Sequence, residues 1–211
     1  MAKNLEPKCK QCRRIGEKLF LKGDKCQTPK CLMNKKNYPP GMHGQQNMRA
    51  KKSDYANQLT EKQKAKKQYN VLEKQFKLIY EKGKHMEGDA GDNLLKLLEM
   101  RFDNIIYRAG MAKSRAQARV LINHNHFKIN SKKMNIPSYT VKKGEIIEIK
   151  EKSKKAKPFA NLKEILKKSE TPGWLNIDAE KLTVKVLHEP SKEDIKNIKI
   201  QAHIIVEYYS R

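Results

Sequence analysis

The chain has 211 residues, of which 47 are Lys or Arg and 23 are Asp or Glu, giving a formal net charge of +24. A compact protein with that excess repels itself unless a polyanion screens it. Each neutralised phosphate releases a counterion, so nucleic acid is the expected partner and the charge balance of an ordinary soluble enzyme is excluded. An anionic membrane surface would require an amphipathic or lipidated anchor, and the sequence offers none. Nor does any apolar run approach the roughly 18 residues of a spanning helix. Met1-Ala2-Lys3-Asn4 lacks the apolar core of a signal peptide, so a cytoplasmic protein is expected. With 37% hydrophobic and 33% charged residues, small cores joined by basic segments fit better than one large core, and the bound partner supplies part of the stability. Only eight of the cations are arginine, and these carry more information than the lysines because they bind phosphate bidentately or stack on bases.

Residues 1–47 hold all four cysteines, the short apolar run Leu19-Phe20-Leu21, and the stretch Tyr38-Pro39-Pro40-Gly41-Met42-His43-Gly44. The zone 48–86 is rich in Lys and Gln, and predicts helices over about 53–67 and 71–82. Asn70-Val71-Leu72-Glu73 reads as an N-cap with Glu following it. Lys51, Lys52, Lys62, Lys64, Lys66 and Lys67 either touch RNA or keep this surface soluble. Leu94, Leu98, Phe102, Ile105 and Ala109 form one amphipathic stripe ending at Gly110. Ser114-Arg115-Ala116-Gln117 then reads as a capping box opening a second helix. Strands are predicted at Phe127–Asn130, Met134–Ile136 and Glu145–Lys150, with a turn at Ser131-Lys132-Lys133. After a lysine run over 150–157 and a helical segment over 160–168, Trp174 reads as a packing anchor. Ala202–Tyr209 has strand propensity.

Cys9-x2-Cys12 and Cys26-x4-Cys31 make two close pairs within 23 residues, and the rest of the chain has no cysteine. Cytosolic thiols stay reduced, so four thiolates at this spacing point to tetrahedral zinc, with an iron–sulfur cluster as the alternative. Such a site is closed and therefore structural. The histidines form no metal or triad pattern, and no phosphate-cradling glycine motif occurs, so an enzyme has no centre. For RNA contact the residues point to Lys113, Arg115 and Arg119 at the second helix opening, with Ser114 and Gln117 beside them, and to Arg49, Lys51 and Lys52. Arg101 and Arg108 either contact RNA or pair with acids. Tyr38 and His43 either stack on or bond to RNA, or pack their loop.

Met100-Arg101-Phe102-Asp103-Asn104-Ile105-Ile106-Tyr107-Arg108-Ala109-Gly110, followed by Ala112-Lys113-Ser114-Arg115-Ala116-Gln117-Ala118-Arg119 and Ile136-Pro137-Ser138-Tyr139, resembles the RNA-binding domain named after small-subunit ribosomal protein S-four. Tyr38-Pro39-Pro40-Gly41-x-His43-Gly44, Ser53-Asp54-Tyr55, Gln75-Phe76 and the ending Ile205-Val206-Glu207-Tyr208-Tyr209-Ser210-Arg211 extend the resemblance to the bacterial ribosomal S-four family over essentially the full length. The resemblance implies an α+β fold: a mainly helical domain with an N-terminal metal knuckle, and an inserted helix–helix–antiparallel-sheet module. The expected boundaries are 1–47 for the metal region, 48–98 completed by 170–211 for the helical domain, and 99–165 for the RNA-binding domain. It further implies a primary binder of small-subunit ribosomal RNA that nucleates assembly of the subunit body and contributes to translational accuracy. The implied partners are ribosomal protein S-five and messenger RNA where it enters the subunit, with no membrane and no homo-oligomer. The rival readings are an RNA-modifying enzyme or RNA chaperone carrying the same module, and a zinc-dependent DNA regulator.

Overall fold

In the computed structural model residues 4–49, 51–168 and 171–210 are described, with side chains at all of these except 49, 167 and 168. The chain divides into two compact units, Met1–Leu94 with Lys199–Arg211, and Leu95–Ile198. In the first unit come α1 (Lys8–Ile15), α2 (Leu32–Lys35), α3 (Asp54–Gln68), α4 (Glu73–Lys84) and α5 (Ala90–Glu99), the last running on into the second unit. The second unit contains α6 (Phe102–Arg108), α7 (Arg115–Asn123), β1 (Phe127–Ile129), β2 (Lys132–Lys133), β3 (Ile146–Ile149), α8 (Glu151–Lys154), α9 (Leu162–Lys168), β4 (Leu175–Asp178), β5 (Thr183–Val186) and α10 (Lys192–Lys196). The helix α11 (Ala202–Tyr209) belongs to the first unit again. No helix among the described residues is long and apolar enough to cross a membrane.

The helices at 54–68 and 73–84 agree with the sequence expectation, but their junction does not. Leu72, not Asn70, is the N-cap of α4. Asn70 instead sits at φ 54, a left-handed conformation that asparagine tolerates better than most residues, and so makes the turn between the helices. Gly83 lets α4 approach α5, since a Cβ there would lie 3.2 Å from the Leu94 amide nitrogen. The expected terminal strand is a helix, α11, packed on α3. Its β-branched run misled the periodicity. What decides the conformation is a helical face, with Ile205 fully buried and Tyr209 stacked on Tyr80 at 4.5 Å between ring centroids.

In the second unit the single expected stripe from Leu94 to Ala109 is two helices. Arg101 is extended (φ −69, ψ 140) and caps α6, while the Asn104 side chain donates to the Glu99 carbonyl at 2.9 Å and closes α5. The segment Pro137–Tyr139 supplies what α6 lacks at its start. The Phe102 amide donates to the Tyr139 carbonyl and the Asp103 amide to that of Pro137, satisfying N–H groups that a helix N-terminus leaves open.

The sheet is antiparallel in the order β2-β1-β3-β5-β4. Asn130 and Ser131 both have positive φ (46 and 65), so they form the two-residue hairpin loop between β1 and β2. The expected turn at Ser131–Lys133 is thereby shifted, and β2 is Lys132–Lys133 instead of Met134–Ile136. Phe127, Ile129, Ile147, Ile149, Val184 and Val186 alternate inward onto a core that also holds Trp174, Phe102, Ile105 and Ile122. Trp174 is the packing anchor the sequence suggested. The expected boundary near 165 shifts accordingly: β4 and β5 complete this sheet, and only from Lys199 does the chain return to the first unit.

Candidate nucleic-acid interface

The arginines expected to meet RNA are largely spent inside the second unit. Asp103, 1% exposed, accepts two bonds from Arg101 (3.1 and 2.9 Å) and two from Arg119 (3.2 and 2.6 Å), and both guanidinium groups are buried with it. Arg101 and Arg119 therefore tie α6 to α7 instead of offering a fork to phosphate. Glu99 is equally buried and is held bidentately by Arg108 at 3.0 and 2.8 Å, so Arg108 takes the acid-pairing alternative. Between the two sets lies Asn104, fully buried. Its amide donates to the Glu99 carboxylate at 2.8 Å and its carbonyl oxygen accepts from Arg115 at 2.8 Å. Arg115 also lies 4.5 Å over the Tyr107 ring. Two carboxylates thus pair with three arginines, and a fourth is anchored through an amide and a ring.

The opening of α7 has the predicted Ser114 cap, but the return bond of the capping box goes to Lys113 instead of Ser114. The Ser114 hydroxyl accepts from the Gln117 amide at 3.2 Å, while the Gln117 side chain reaches back to the Lys113 amide at 2.9 Å, one residue before the cap. Ser114 and Gln117 are committed to this capping, which leaves the Lys113 side chain as the exposed cation of the opening.

On the first unit, Tyr38 is half-buried and pinned. Arg13 donates to the Tyr38 and Pro39 carbonyls at 2.8 and 3.2 Å, and its guanidinium covers the Tyr38 ring at 4.7 Å. Gly44 is buried against the Pro39 carbonyl with no room for a Cβ, so the Pro-Pro-Gly loop is tightly folded. His43 projects from it, exposed, with Nδ1 3.2 Å from the Gln46 side-chain oxygen. Lys51 and Lys52 are exposed. The side chain of Arg49 lies outside the described residues.

A basic group that sequence reasoning missed is on the outer face of the sheet. Lys128 stands opposite Lys133 across β1–β2, and Lys150 follows β3 on the same alternation. Burial pushes the Lys150 ammonium below its usual range, and the neighbouring Lys133 and Lys128 lower it further. Among the described residues none of the three makes an ion pair. The signal was the two-residue hairpin, which sets the register; without it the lysines read only as alternate positions.

The four cysteines are free thiols, three of them buried. Cys12 packs with Ile15 and Leu19, while Phe20 is exposed at φ 51, so the apolar run Leu19–Leu21 does not form a strand. Burial raises the Cys12 thiol above its usual range. A backbone bond from Leu19 opposes this, and the proximity of Cys26, Cys9 and Cys31 adds to the rise, so the four sulfurs share one neighbourhood. The Lys22 amide donates to the Cys26 sulfur at 3.3 Å. Among the described residues, however, no group of three or more His, Cys, Asp or Glu is spaced to hold a metal ion. The donor chemistry fits a metal, whereas the present side-chain spacing does not close on one.

The profile described as Ribosomal protein S4/S9 N-terminal domain matches residues 3–99, and that of the S4 domain matches residues 100–147. Curated relatives named Small ribosomal subunit protein uS4 align along both chains. The protein of Caldicellulosiruptor saccharolyticus is 53% identical and that of Clostridioides difficile 50%, each over 211 residues and all of both chains. The protein of Desulforapulum autotrophicum is 46% identical over 96% of each. The chain belongs to the ribosomal protein S4 family. The family is one of structural proteins, so the chain is not an enzyme. The S4 domain match covers α6, α7 and the first hairpin, whereas the compact unit continues to Ile198 through β4, β5 and α10.

Proposed function

We propose that this protein is a structural constituent of the small ribosomal subunit, that it acts in the cytoplasm on the ribosome, and that it binds small-subunit ribosomal RNA without catalysis. The observation that carries the reading is the alignment with uS4 relatives along all 211 residues of both chains. The +24 charge and the exposed lysines support it physically. In this reading the buried arginine–carboxylate network fixes α6 against α7, so that Lys113 meets the RNA backbone without reordering. Lys51, Lys52 and His43 serve the first unit, and Lys128, Lys133 and Lys150 the sheet face. Lysine acts on phosphate as a point charge, which suits backbone positioning more than base reading.

The reading extends, by family resemblance, to nucleating assembly of the subunit body and to a share in translational accuracy. On the same basis the protein, as a single copy, contacts ribosomal protein S-five and messenger RNA where it enters the subunit. Cys9, Cys12, Cys26 and Cys31 are proposed as ligands of a structural zinc ion, with an iron–sulfur cluster as the alternative. Four thiols gathered in one neighbourhood and a backbone N–H directed at a sulfur support this. Elemental analysis with an absorbance spectrum of anaerobically purified protein separates the two, and finding neither metal removes the site.

Sucrose-gradient fractionation of the native host tests the main reading. Protein found away from small subunits would overturn it. In filter binding to small-subunit ribosomal RNA, Lys113→Ala is expected to weaken affinity a few-fold and to flatten the log–log salt dependence by about 0.7 to 0.9. An unchanged slope removes Lys113 from the interface.

A further inference from the structure

A concave site lies wholly within the first unit, where the chain before α1, α1 itself, α3 and the start of α4 line a cavity of about 670 Å3. Its walls divide by chemistry. Ile15, Leu59 and Leu72 give an apolar side; Arg14, Lys66 and Lys67 give a cationic one. The carboxylate Glu73 on the rim is already neutralised, taking Lys62 at 2.6 Å and Lys66 at 2.7 Å. Glu6 is the one other acid on the wall. Among the described residues, Arg14 and Lys67 make no side-chain hydrogen bond or ion pair. Burial holds the Lys67 ammonium below its usual range; Glu6 opposes this, but Arg14 and Lys66 add to the lowering.

Lys67 is half-buried, so its charge is costly unless an anion completes it, and the exposed Arg14 beside it adds a second donor for such an anion. The cavity has the volume of a small-molecule site, and its apolar wall asks for a flat or aliphatic body attached to that anion.

We propose that this cavity binds a phosphorylated ribonucleotide, with the phosphate on Arg14 and Lys67 and the nucleoside against Ile15, Leu59 and Leu72. The phosphate has two possible sources, a nucleotide of the bound RNA or a free nucleoside monophosphate, and the chemistry of the site is the same for both. The RNA source rests on the proposed function above; the free-nucleotide source does not.

The test uses the full-length protein and its Arg14→Gln/Lys67→Gln variant, with Lys67→Gln alone as the milder change and circular dichroism to verify folding. Uridine and adenosine 5′-monophosphates, the unphosphorylated nucleosides and inorganic phosphate are titrated by calorimetry or NMR. Binding to small-subunit ribosomal RNA is measured in parallel by filter binding over a salt series. Expected is monophosphate binding that weakens about tenfold or more in the double variant, with the nucleosides binding more weakly still. If RNA affinity also falls and its salt slope flattens by about 1.4 to 1.8 for two lost phosphate contacts, the RNA supplies the nucleotide. If RNA binding is unchanged while monophosphate binding is lost, the ligand is free. Monophosphate and RNA binding that are both indifferent to the variants overturn the site. A wild-type protein that binds monophosphate but no ribosomal RNA overturns the proposed function and leaves this site standing.

Discussion

Asp103 holds two buried guanidinium groups, and each has this carboxylate as its counter-charge. Asp103→Ala would remove the carboxylate the two share, and breaking a buried pair in this way costs about 3–5 kcal/mol. Urea denaturation is expected to show a loss of that size. A loss under about 1 kcal/mol would mean that the arginines find water or other partners. At this scale the sequence displayed the right residues in the wrong role. Arg115 and Arg119, four apart on a helix, look like a phosphate clamp. That reading omits Asp103 and Asn104, more than ten residues earlier, which close onto the same helix face. Side-chain pairing across helices depends on tertiary approach, and no local spacing encodes it. Lys113, one step before the cap, is exposed where Arg115 and Arg119 are buried.

Local chemistry is most legible where an element begins. Ser114 caps α7 as its pattern announces, and Ser114→Ala is expected to lower stability by about 0.5–2 kcal/mol in thermal or urea unfolding. The helices α3, α4 and α9 were likewise readable from apolar spacing and composition. What failed were elements settled by their partners: the break between α5 and α6, made by Asn104 and the Pro137–Tyr139 carbonyls, and α11, made helical by the aromatic surface of α4 and by α3. Glu73, at the start of α4, gives that region a pH dependence. Burial raises its carboxyl, but hydrogen bonds from Lys62 and Lys66 more than offset this, so it lies below the usual range. A depressed folded-state pKa stabilises above the unfolded value of about 4.3 and is lost as pH falls through the folded one. Unfolding is therefore expected to become easier on acidification through that window, and less so in Glu73→Gln. Parallel pH profiles for the two proteins would remove Glu73 as a source.

Over the whole molecule, charge works in opposite directions on folding and on binding. The net +24 repels itself in the free protein, so added salt is expected to raise its melting temperature by screening. The same salt weakens RNA binding by competing for phosphates. A melting temperature that falls with potassium chloride over about 0.05–0.5 M would show that attractive ion pairs outweigh the net repulsion. Composition made this behaviour legible, and the resemblance supplied the inserted module; the missing part was the β4–β5 hairpin, whose β5 strand pairs with β3, nearly forty residues earlier (Ile146 with Lys185).

The discontinuity of the first unit also bears on how the protein is made. The aromatic rings of Phe76 and Tyr80 wait for Tyr209, and translation delivers Tyr209 only after every residue of the second unit. The middle of the chain can therefore condense while the nascent chain is still growing. The earlier-made helices α3 and α4 must meanwhile persist with an apolar face that stays uncovered until α11 arrives.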